Sequence, residues 1–79
     1  MTLDQLARGE SARISHIDWD QLVPSEGLRL RALGLDEGAQ VSIAHRGVFG
    51  GADPVAVTVG RMTVAVRRAH AAAMQIDQD

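Results

Sequence analysis

Four residue types are missing altogether from the 79-residue chain: Cys, Lys, Tyr and Asn. Without Cys there is no disulfide framework, no thiolate metal site and no thiol nucleophile. Small secreted domains lean on disulfides, so their absence favours a reducing compartment. Every one of the eight basic residues is Arg, and the formal net charge is −2. That is not the basic footprint of a nucleic-acid binder. With no Lys anywhere, the Gly-rich stretch 47–54 cannot end as a phosphate-binding P-loop does. Aromatics are reduced to Trp19 and Phe49. No apolar run approaches the roughly 20 residues of a membrane-spanning helix. Met1 to Gln5 lacks the basic start and apolar core of a signal peptide. The expectation is a soluble, cytoplasmic chain.

What is present is small and β-branched. Hydrophobic residues make up 46% of the chain, with twelve Ala, eight Val and four Ile. Val-rich segments set among glycines point to short strands and tight turns. At this length one small domain over 1–79 is expected, with no repeat and no second unit. Its core must be compact, since so short a chain buries only about 60–65% of its unfolded surface.

The pattern along the chain predicts the elements. Thr2 to Leu6 reads as one helical turn, with Thr2 and Gln5 spaced as a capping box. Residues 11–18 read as a strand; strict alternation groups Ala12, Ile14 and His16 on one face. Pro24-Ser25 starts a helix, with Ser25 able to cap it. The helix runs to Leu33. Gly34 ends it in the left-handed region, and Leu35 folds back on Leu30. Ala39 to Arg46 is a second strand, grouping Val41, Ile43 and His45. Gly47 to Pro54 is a loop. Val55, Val57 and Val59, then Met62, Val64 and Val66, form a hairpin about Gly60-Arg61. Gly in first position suits a type II′ turn and pairs Val59 with Met62, Val57 with Val64 and Val55 with Val66. A short helical turn from Arg67 to Ala73 leads to a last strand near Met74 to Ile76. Five short strands with one or two short helices suggest a mostly β fold, a small closed or nearly closed barrel.

Leu33-Gly34-Leu35-Asp36-Glu37-Gly38-Ala39-Gln40-Val41 resembles the FeoA family: an LGL turn, a Gly three residues on, then Val. Gly51-Ala52-Asp53-Pro54-Val55 is similar to the family's Gly-Asp-Pro loop. Val59-Gly60-Arg61-Met62 is similar to its hairpin, and Ala65-Val66-Arg67-Arg68-Ala69-His70-Ala71 to its Ala-Leu-Arg stretch. Leu3 to Glu10 resembles its opening. Departures are Glu37 in place of a Pro, Ala52 lengthening the loop, and a longer Trp19 to Gly27 connection. The resemblance implies an SH3-like β-barrel and a cytosolic accessory role in bacterial ferrous-iron uptake. It also implies a FeoB-type membrane GTPase transporter as partner, with membrane contact only through that partner. The same barrel resembles the C-terminal domain of DtxR-type repressors, without their helix-turn-helix.

Candidate chemistry is sparse. Ser11, Ser15, Ser25 and Ser42 lack a positioned base, and no carboxylates pair in a motif, so no enzyme is expected. His16, His45 and His70 have neither i, i+4 nor zinc-finger spacing. His16 and His45 are the metal candidates, able to meet across paired strands. With Asp18, Asp20 or Asp53 they would give weak Fe²⁺ or other divalent-metal binding in a sensor or carrier. The plainer reading makes them partly buried rim residues. For partner binding the candidates are the helix face (Leu28, Leu30), Arg29 and Arg31 as bidentate anchors, and the loop aromatics Trp19 and Phe49. Arg67 and Arg68, after the hairpin, are further basic anchors; the alternative for all four Arg is a solvated polar face.

Overall fold

The computed structural model describes residues 1–46 and 53–78. Five strands form one antiparallel sheet: β1 (Ser11–Ile17), β2 (Gln40–Arg46), β3 (Val55–Val59), β4 (Met62–Val66) and β5 (Met74–Asp77). Their order across the sheet is β4-β3-β2-β1-β5. Helix α1 (Pro24–Ala32) joins β1 to β2, and the short α2 (Arg68–Ala71) joins β4 to β5. Single 3₁₀ turns lie at Leu3–Gln5 and Trp19–Gln21.

The β3–β4 hairpin forms in the expected register, Val59 with Met62, Val57 with Val64 and Val55 with Val66. Gly60 has φ +59°, and Arg61 is not in the positive region. That combination is a type II′ turn. Val55, Val57, Val64 and Val66 are buried, while Met62 at the tip is 45% exposed.

Helix α1 ends as its sequence predicts. Gly34 has φ +99°. Its N–H donates to Arg31 O at 3.0 Å, and Leu35 N–H donates to Leu30 O at 2.9 Å. These are the two bonds of a Schellman cap. Leu30 and Leu35 are both fully buried, which supplies the cap's apolar contact. The start differs. The N-cap is Val23, with Pro24 at the first position and no side-chain cap. Ser25 lies inside the helix, because Pro24 already supplies the preset φ and has no N–H needing a partner.

Strict alternation fails in β1 and β2. The β1–β5 register slips between Ile14 and His16, and the β2–β3 register slips between Ile43 and His45. An inserted residue shifts the two-residue period by one. His16 therefore leaves the face of Ala12 and Ile14 and is exposed, while Ile17 is buried.

The expected mostly β fold of five strands and two short helices is present, but closure into a barrel is not seen among the described residues. β4 and β5 are the two ends of the sheet, and they do not pair with each other among the described residues. The sheet is open. Its apolar face is completed by Leu30 of α1 and by Leu3 and Leu6 of the N-terminal segment, all fully buried. That segment is tied down by Ile76 N–H to Met1 O at 2.9 Å and by Gly9 N–H to Ile43 O at 3.0 Å. No helix among the described residues is long and apolar enough to cross a membrane.

Candidate partner-binding surface

The i, i+3 spacing gives α1 three distinct sides. Gly27 and Leu30 face inward and are buried. Glu26 and Arg29 lie on one flank, Leu28 and Arg31 on the other. The expected apolar face of Leu28 with Leu30 does not exist, because residues two apart on a helix point in nearly opposite directions. Leu30 is fully buried and Leu28 is 69% exposed.

On the Leu28 side a groove of about 380 Å³ runs between the Trp19–Gln21 turn and the helix. Trp19 and Leu22 line it from the turn, and Val23, Pro24, Gly27, Leu28 and Arg31 from the helix and its entry. The turn is pinned by Asp18. Its carboxylate accepts from Asp20 N–H at 3.3 Å and from Gln21 Nε2 at 2.6 Å. Gly27 lets the indole lie against the helix backbone; a Cβ there would sit 3.4 Å from Trp19 Cε3. The Arg31 guanidinium stacks over the indole, 4.1 Å from its centroid. Asp36 holds the same guanidinium through Nε at 3.4 Å. Val23 at 62% and Leu28 at 69% exposure leave an apolar rim beside this stacked pair.

On the Glu26 side a smaller polar cleft of about 340 Å³ is lined by Glu26, Arg29, Asp53, Pro54, Ala65 and Arg67. Arg29 donates to Glu26 Oε1 through Nε at 3.0 Å and Nη2 at 2.6 Å. This hydrogen bond, more than the surrounding charge of Arg29, His70 and Arg67, holds the Glu26 carboxyl below its ordinary range against a smaller burial effect. His70 Nδ1 is buried without a hydrogen-bond partner among the described residues, 3.9 Å from Glu26 Oε1. Asp53 Oδ1 accepts the Arg68 N–H at 2.9 Å.

Of the partner-binding candidates, Trp19, Leu28 and Arg31 come together in one groove. Arg29 is carried round to the other flank. Phe49 and the His45 side chain lie outside the described residues. The metal candidates are not brought opposite each other. The β1–β2 ladder pairs Ser11 with Ser42 and Arg13 with Gln40, so its extension puts His16 level with Glu37, far along the chain from His45. His16 Nδ1 is indeed 3.2 Å from Glu37 Oε2. No group of three His, Asp or Glu side chains that could hold a metal occurs among the described residues. Sequence reasoning missed Val23 and Gly27. A Gly within a helical segment near the only Trp was the available signal, since such a Gly marks a close approach.

The FeoA domain matches residues 1–78, and the chain belongs to the FeoA family. Solved structures agree. FeoA of Stenotrophomonas maltophilia, complexed with zinc, is described as a procaryotic SH3 domain protein. It is 32% identical, with TM-score 0.76, over 98% of this chain and 89% of that one. FeoA from Chlorobium tepidum is 26% identical, with TM-score 0.84, over 99% of this chain and 70% of that one. Iron(II) transport protein A from Clostridium thermocellum shares the fold at 20% identity and TM-score 0.82, and this chain spans only 45% of its length. Comparison with curated proteins gives no match.

Proposed function

We propose that this chain is a non-enzymatic, cytoplasmic accessory protein of ferrous-iron uptake that docks on the cytosolic part of a FeoB-type membrane GTPase. Membership in the FeoA family supports the role in ferrous iron transport. The Stenotrophomonas relative is described as a candidate ferrous iron transport activating factor, which fits a modulating role. The observation that carries the docking surface is the Trp19 groove. It presents two exposed aliphatic side chains, Val23 and Leu28, beside an Arg-stacked indole. Aromatic and Arg anchors in an apolar setting are what interface hot spots are made of.

The test is co-purification of the chain with the FeoB-type transporter of its own organism, with and without a GTP analogue. Near-stoichiometric retention is expected in at least one nucleotide state. Leu28→Glu with Arg31→Glu should cut retention by about tenfold or more, the loss typical of a hot-spot pair. Retention unchanged by that double substitution rejects the groove as the docking surface. No retention of the native chain in either state rejects the partner.

A further inference from the structure

The open sheet leaves β4 with one unpaired side. Its ladder to β3 starts at the Val59–Met62 pair flanking a two-residue turn. In such a hairpin the flanking pair exchanges hydrogen bonds and the next pair does not. The N–H and C=O groups of Thr63 and Ala65 therefore point away from β3. Thr63 and Ala65 are exposed. Among the described residues only Arg29 reaches this edge, its Nη2 lying 3.4 Å from Ala65 O.

An Arg flanks the edge at each end. Arg61 stands at its start and Arg67 at its end, both exposed. Neither makes a direct ion pair among the described residues. The polar cleft opens beside Ala65 and Arg67. Its own carboxylates are engaged, Glu26 by Arg29 and Asp53 Oδ1 by the Arg68 N–H. An added strand would find both backbone groups of Thr63 and the N–H of Ala65 facing outward, the Ala65 C=O being shared with Arg29. It would meet the exposed Arg61 at one end and Arg67, beside the Arg29-bound Glu26, at the other.

We propose that the β4 edge takes up an extended acidic peptide segment of a partner protein as a sixth strand, with carboxylates opposite Arg61 and Arg67. Main-chain bonds to Thr63 and Ala65 supply affinity, and the two Arg supply selection, the division of labour in β-strand addition. A second copy of this chain is disfavoured as occupant. The antiparallel register that satisfies Thr63 and Ala65 of both copies sets Arg61 of each opposite Arg67 of the other, and like charges directly opposite are destabilising. The inference is independent of the iron-transport reading, because it rests on the edge and its charges alone.

The test uses the ¹⁵N-labelled full chain and two capped synthetic peptides, Glu-Val-Thr-Val-Thr-Val-Glu and its counterpart with Lys at both ends. The acidic peptide should shift the Thr63 and Ala65 amides and slow their hydrogen exchange by about tenfold or more at saturation. The Lys-flanked peptide should bind at least about tenfold more weakly. Arg61→Glu with Arg67→Glu, two exposed positions, should reverse that preference without altering the fold. Absence of shifts at Thr63 and Ala65 up to about 1 mM acidic peptide overturns the proposal. So does equal binding of the two peptides, a response centred on Trp19 and Leu28, or self-association through β4 in place of peptide binding.

Discussion

Glu26 accepts two hydrogen bonds from one guanidinium and lies near His70 and Arg67. With its carboxyl lowered in the folded state, the native chain releases that proton more readily than the unfolded one. The associated stability is present in full above the unfolded carboxyl range and is lost as pH falls through the lowered folded value. Glu26→Gln should therefore leave a chain whose urea midpoint declines less between neutral pH and about pH 3 than that of the native protein. Parallel midpoints for the two proteins across that range would show the pair contributes nothing to acid sensitivity.

Among the elements, α1 carries the most consequences, because its two ends and three sides each do something different. Gly34 sits at φ +99°, and a Cβ there would also meet Val59 Cγ2 at 3.4 Å. Gly34→Ala should cost about 1–2 kcal/mol for the left-handed backbone, read as a lowered thermal or urea midpoint. An unchanged midpoint would mean the cap relaxes elsewhere. Gly27→Leu should push the indole off the helix. Trp19 is the only Trp, so its emission should move to longer wavelength while far-ultraviolet dichroism persists. Unmoved emission would show that the groove does not depend on this close approach. The cap and the β3–β4 hairpin were legible in the sequence because they are local: Gly34-Leu35 and Gly60-Arg61 encode their own dihedrals. The slips near Ser15 and Ala44 were not, because an inserted residue leaves no compositional mark and breaks a period that looked intact. Leu28 and Leu30 were misgrouped because a two-residue interval belongs to strands, whereas the segment is a helix. The groove was half legible: its residue types were evident, but their convergence depends on how the Trp19–Gln21 turn folds back on α1.

For the whole molecule the open sheet sets the balance. A closed barrel would seal its own ends by strand pairing. Here β4 and β5 remain unjoined among the described residues, and the core is completed by segments outside the sheet. One of these is the N-terminal segment, residues 1–8. It buries Leu3 and Leu6 completely. It lies against β5 through the Thr2–Gln75 bridge and against β2 through the Arg8–Ile43 bridge. Each of those Leu contributes about 1.5–3 kcal/mol by burial alone. A domain of this size has on the order of 5 kcal/mol of total stability. Deleting residues 1–6 should therefore abolish cooperative thermal unfolding and collapse the dispersion of the amide spectrum, not merely lower the midpoint. Leu6→Ala, which leaves the backbone bridges in place, should cost about 2–5 kcal/mol and give a folded but weakened chain. A truncated chain that still melts cooperatively would show that the sheet and α1 hold the core unaided, with the segment only packed upon it.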